Sequence, residues 1–237
     1  MESGLIELLL QKQEYRLNVL IDAAWKERFQ TFAALVQKHL DSLAHNVLMP
    51  PIADILASPS FETILAETPI EEAITANSLQ AAFSQLPVFT VAWIHQANAD
   101  LVELLHEAGL EDATSQDLSL AKIMFQCIHC SDMVRHPRIL VHSEFCTGHI
   151  RYQESGYYDA ASLLSHLRLR TWSAKPHYTV DVRGMNFRKA LVRACGLNPN
   201  TASADAMNEL CPIVKAEIRS SKYRYYHWET LDLVSPY

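Results

Sequence analysis

Glycine is scarce in this chain of 237 residues, with only six. That leaves little material for loops that cradle phosphates, and neither G-x-x-x-x-G-K-S/T nor G-x-G-x-x-G occurs. The nucleophile elbow G-x-S-x-G and the metalloprotease pattern H-E-x-x-H are also missing. No apolar run approaches the ~20 residues that a membrane-spanning helix needs. The opening MESGLIELLLQKQEYR has an acidic second residue and no small-residue cleavage site after its apolar patch, so it reads as a helix and not as a signal peptide. Lysine and arginine are absent from His39 to Ala121. There is no internal repeat and no low-complexity tract.

What is present is globular: 49% apolar and 20% charged residues, enough chain for one large domain or two small ones. The net charge of −7 is uneven. Residues 1–120 carry 5 basic against 17 acidic side chains, and residues 121–237 carry 15 against 10. Such asymmetry suggests two lobes with different surfaces, and a surplus of +5 is too modest to signal nucleic acid by itself. Five cysteines without a secretory signal suggest a reducing, intracellular setting, cytoplasmic or nuclear.

Hydrophobic spacing sets the expected organisation. A long N-terminal helix occupies residues 1–49, with Trp25, Phe29, Phe32, Val36, Leu40 and Leu43 on one face and Pro50–Pro51 as its stop. An acidic helical lobe follows over residues 50–115. In it, SLQAAFSQL is capped by Asn77 or Ser78, and a second helix opens at Pro87. That second helix carries Ile94, Ala97, Leu101, Leu105 and Ala108 on one stripe and closes at Gly109. Residues 116–237 form a mildly basic lobe, beginning near the polar stretch EDATSQDLS. Its expected elements are an amphipathic helix in DAASLLSHLRLR, a strand in HYTVDV and a helix in MNFRKALVRACGLNP stopped by Gly196. Cys195 is expected to share that helix's buried face with Phe187, Leu191 and Ala194. Thr201 is expected to cap ADAMNEL, and the tail KYRYYHWETLDLV reads as a strand. The fold class is therefore α+β and predominantly helical, with few short strands.

Chemistry concentrates in FQCIHCSDMVRHPRILVHSEFC, residues 125–146. Cys127 and Cys130 form a CxxC knuckle that can turn two sulfurs toward one ion. After eleven intervening residues His142-x3-Cys146 offers an imidazole and a thiol one helical turn apart. Phe125, Val134 and Ile139 sit where a small finger keeps its miniature core, and Pro137 could open the helix bearing the second ligand pair. The stretch resembles a CCHC-type zinc finger, with a loop one residue shorter than the usual length of about twelve. The expected site is Cys127, Cys130, His142 and Cys146 around one structural zinc, since four protein ligands leave no position for substrate. Unliganded thiols and a redox dithiol are the alternatives, and His129, His136 and His149 are spare imidazoles nearby. His95 and His106 carry no assigned chemistry. The carboxylates Glu62, Glu67, Glu71, Glu72, Asp181 and Asp205 show no preferred pairing, so no catalytic residue is nominated.

From Val47 onward the landmarks LMPPIADIL, SLQAAFSQLPVFTVAW, FQCIHC with PRILVH, ALVRACGLNPNTASADAMNELC and the closing HW stand in a characteristic order. In that order and spacing the chain resembles a group of uncharacterised proteins of mushroom-forming fungi, many of them F-box-associated. The resemblance implies an adaptor role with protein partners, ubiquitin-ligase subunits among them. Members often carry a second CxxC where this chain has Cys211-Pro-Ile-Val214, so a second metal site at Cys211 is not expected. The resulting expectation is a non-enzymatic interaction module with no membrane association. A nucleic-acid binder using one finger, through Arg135 and Arg138, ranks behind it, and an enzyme with an unrecognised site ranks third.

Overall fold

The computed structural model describes residues 2–43, 47–69, 71–142, 146, 171–175, 177–210, 213–218 and 222–228. The amphipathic helix expected in DAASLLSHLRLR, and the residues His149 and Cys211, lie outside these. The chain divides into two compact units, Met1–Val91 with Gln153–Thr171 and Ala92–Tyr152 with Trp172–Tyr237. The whole is α+β and predominantly helical, with a small three-stranded sheet and a two-stranded hairpin. Among the described residues no helix is long and apolar enough to cross a membrane.

The first unit is built on helix α1 (Glu2–Asp41), with α2 (Ile52–Leu56), α3 (Pro59–Glu67) and the opening turns of α4 (Gln80–Glu107). The spacing of three and four on α1 delivers Phe29, Phe32 and Val36 to the core, with Trp25 and Leu40 partly covered. Phe61 and Phe83 complete an aromatic chain with ring centroids 6.4, 6.0 and 5.7 Å apart along Phe29–Phe32–Phe61–Phe83. Tilted and edge-on rings at such distances add to the gain from burial. Arg28 is buried beside this core, its guanidinium donating to the carbonyls of Thr68 and Pro69 just past α3.

Two boundaries differ from expectation. Helix α1 stops at Asp41, short of Met49, because the Ser42 amide and hydroxyl both bond the His39 carbonyl, at 3.0 and 2.6 Å, and tighten the last turn. Pro87 lies inside α4 instead of opening it. Its missing amide leaves the Phe83 carbonyl without a helical donor. Burial of Leu79, Ala82, Phe83 and Leu86 on one face carries the helix through that defect.

In the second unit α4 continues to Glu107, burying Trp93, Ala97, Leu101, Leu104 and Leu105. It ends at Gly109, whose φ of +86° is the left-handed geometry that favours glycine. EDATSQDLS folds into turns and a 3-10 helix, Ser115–Ser119. Strand β1 (Phe125–Cys127) lies between β2 (Met133–Val134) and β3 (Tyr178–Val180), antiparallel to both.

Asp181 then caps α5 (Val182–Ala194), accepting from the Gly184 amide at 2.9 Å. A Cβ at Gly184 would fall 1.9 Å from Asp181 Oδ2, so the cap needs glycine there. The buried face of α5 is Met185, Arg188 and Val192. Phe187 and Ala194 face outward, which corrects that part of the expected face, while Leu191 and the half-buried Cys195 pack against the apolar cluster as expected. An apolar stripe cannot count Arg188 as interior, yet its ion pair with Asp181, at 3.0 Å, draws it in. In α6 (Ala204–Leu210) the cap is Ser203, which accepts from the Ala206 amide, and not Thr201. The tail strand is present as β5 (Lys222–His227), paired with an unanticipated β4 (Ile213–Ile218).

Candidate metal centre

The knuckle starts from strand geometry. Cys127 ends β1, and the chain reverses through residues 128–132 with the Ser131 amide donating to the Cys127 carbonyl at 2.8 Å. The Cys127 amide in turn donates to the Asp132 carbonyl at 2.9 Å. Ser131 adopts φ of 63°, the left-handed conformation that a turn this tight demands. The reversal sets Cys130 beside Cys127 and returns the chain into β2, where Val134 pairs with Phe125. Phe125, Val134 and Ile139 are all buried beneath it, as a miniature core requires.

The second half arrives through the 3-10 turn Arg138–Leu140, which follows Pro137. His142 comes directly after that turn and is buried, as is Cys146. The ligand atoms of Cys127, Cys130, His142 and Cys146 all lie within 4.8 Å of one another. Cys127 Sγ and Cys146 Sγ are 3.7 Å apart, and Cys130 Sγ is 3.3 Å from His142 Nε2. Around a tetrahedral ion with Zn–S of about 2.3 Å and Zn–N of about 2.0 Å, sulfur–sulfur edges measure ~3.8 Å and sulfur–nitrogen edges ~3.5 Å. Both observed edges are close to these values. Each cysteine of the knuckle also pairs with a ligand from the second half, so the four side chains make one cluster and not a separate dithiol. The structure thus contains a Cys3His cluster able to coordinate a metal ion.

The electrostatics suit a cation. Burial lowers the pKa of His142, an effect that Asp132 opposes and Arg138 reinforces, and so favours the neutral imidazole with a free nitrogen lone pair. Burial pushes the Cys130 thiol well above its ordinary range, and its contacts with Cys146 and Cys127 push the same way. A cation would replace those thiol protons. Tyr178, opposite Cys127 in the sheet register, is buried with a hydroxyl that has no hydrogen-bond partner among the described residues.

Around the cluster stands an aromatic wall. Trp93 meets Trp172 edge-on at 5.9 Å, and Trp172 stacks on Tyr178 at 6.4 Å. Trp172 Nε1 also donates to the Ile139 carbonyl at 3.2 Å, tying the wall to the segment that delivers His142. Periodicity gave no hint of Trp172, and its only sequence signal is being a large aromatic just before the HYTVDV strand.

Two of the spare histidines, His129 and His136, are engaged elsewhere. His129 Nε2 lies 2.8 Å from His177 Nδ1, and His136 Nε2 lies 2.9 Å from Asn98 Oδ1 on α4. Arg135 is half-buried with its guanidinium 4.4 Å over the Trp228 ring, while Arg138 is exposed. Glu62, Glu67, Glu71, Glu72 and Asp205 are exposed, and Asp181 serves as a helix cap. Among the described residues, the four-ligand cluster is the one group of three or more metal-ligating side chains. No protein-family model, no curated protein and no solved structure matches the chain.

Proposed function

We propose that this protein is a non-enzymatic interaction module whose second unit is stabilised by one structural zinc ion held by Cys127, Cys130, His142 and Cys146. The observation that carries this reading is the convergence of three sulfurs and one imidazole nitrogen within 4.8 Å, with two edges close to those of a zinc tetrahedron. Three thiolates and an imidazole are soft and borderline donors, a set that favours zinc over magnesium or calcium. Four protein ligands fill the coordination sphere, so the ion serves folding and not chemistry. The strands around it are only two or three residues long, too short to hold themselves together.

The partner is another protein. The landmarks shared with F-box-associated fungal proteins support an adaptor that presents a client to ubiquitin-ligase subunits. A nucleic-acid role through the finger is less favoured, because Arg135 is engaged with Trp228. Two measurements test the proposal. Elemental analysis of untagged protein purified without chelators should find about one zinc per chain, and stoichiometric absence of metal ends the zinc reading. Affinity capture from fungal extract should retain ligase subunits, and recovery of none ends the adaptor reading.

A further inference from the structure

The core of the first unit uses only part of its longest helix. Helix α1 runs for 40 residues, about 60 Å, yet its contribution to that core begins at Trp25 and Phe29. Residues 11–17, 19, 20, 23 and 24 are all exposed, Leu17 to 57% and Leu20 to 67%. A helix in water draws most of its stability from the packing of one face, so about 35 Å of it standing outside the core calls for a partner.

The sequence of that stretch has the pattern of a helix seam. Ile6, Leu10, Gln13, Leu17, Leu20 and Ala24 recur at alternating spacings of four and three, and every position but one is apolar. At about 100° per residue, this stripe lies roughly a third of a turn from the face that carries Phe29, Phe32 and Val36 inward. Packing of the core therefore leaves the stripe free to meet something else.

The stripe is uncharged, and it is complementary to itself. In a parallel pair in register each residue meets its own counterpart, leucine on leucine, and the two Gln13 amides can bond each other. Reversing one helix would set Gln13 against Leu17 and bury an amide without a partner. Helices about 10 Å across, joined along a seam of this length, bury on the order of 1,000 Å² in total, the size at which specific interfaces begin.

We infer that residues 6–24 of α1 form a dimerisation surface whose occupant is a second copy of this chain. The two copies make a parallel two-stranded coiled coil in register at Gln13. This pairing does not depend on the metal centre.

The test is sedimentation of the full chain over a range of concentrations, beside a variant carrying both Leu17→Asp and Leu20→Asp. The parent should sediment as a dimer in the micromolar range and the variant as a monomer. Both leucines lie outside the core, so the variant should keep hydrogen-exchange protection over 25–41, which shows that it still folds. Orientation is read from Leu20→Cys: mild oxidation should join two copies through position 20, as peptide mapping can establish. A monomeric parent overturns the inference, and protection of 11–24 in that monomer would assign the face to a segment of the same chain. A dimer that survives both aspartates lies on another surface and overturns it as well. A dimer that gives no bond through position 20 overturns the parallel register.

Discussion

Both units bury hydrocarbon, and the second adds a set of directional contacts centred on its Cys3His cluster. Around α1 the core is Phe29, Phe32, Val36, Ile55, Phe61 and Phe83, aromatic and aliphatic side chains that gain by leaving water and tolerate modest rearrangement. The second unit buries an apolar core as well, with Leu101, Leu105, Phe125, Ile139 and Leu140 fully enclosed, and a smaller cluster of Ala121, Val192, Ala202, Met207 and Trp228. To this it adds groups with strict geometry: a Cys3His cluster, the buried pair of Arg188 with Asp181, and the contact of His136 with Asn98. A core of the first kind weakens gradually as atoms are removed. A set of the second kind fails when one member goes, because its partners are left buried and unsatisfied.

That contrast makes definite predictions, the largest at the metal centre. Cys127→Ser, or removal of zinc by a strong chelator, should unfold the second unit. Metal binding free energy on the order of 10 kcal/mol or more is available to fold sites of this type. Hydrogen exchange should lose protection over 121–142 and 178–194 and keep it over 25–41. Equal loss in both stretches would show that the units do not differ in this way. Phe32→Ala should cost about 3–5 kcal/mol by urea unfolding, and the loss should be the same with and without chelator. Asp181→Ala should cost about 1–3 kcal/mol, because it removes both the helix cap and the carboxylate paired with the buried Arg188 guanidinium.

The smallest effect concerns pH. Burial lowers the pKa of both His136 and His142 below the ordinary 6.5. The unfolded chain therefore binds more protons than the folded one, and stability present above about pH 6.5 is lost as pH falls below it. The second unit should show this loss in its urea midpoint between pH 7.5 and 5.5. His136→Gln keeps a donor for Asn98 and should flatten the slope by a fraction of a kcal/mol per pH unit. An unchanged slope would remove His136 from the account.

Legibility followed the same division. The aromatic stripe on α1 and the apolar stripe on α4 could be read from spacing because a helix returns every third or fourth side chain to one face, whatever lies opposite. Spacing went astray where a polar group took an interior position. Arg188 displaced Phe187 and Ala194 from the buried face of α5, and an ion pair to the residue capping the helix cannot be seen in a hydrophobic pattern. Pro87 looked like a helix start, since proline alone marks a boundary, and only the burial of its neighbours shows that the helix passes through. β4 went unread because its partner, β5, is what makes Ile213–Ile218 a strand.

From the chain alone come the two helical stripes, the acidic and basic halves and the order of the four metal-ligating residue types. These follow from local backbone geometry and from counting charges, and neither depends on what packs against what. The third dimension decided that Tyr178 and Trp172 stand beside the cluster, that Arg188 turns inward and that Arg135 lies on Trp228. Each of those joins residues far apart in the chain, and a distance of a few ångströms between such side chains exists only once the backbone has folded.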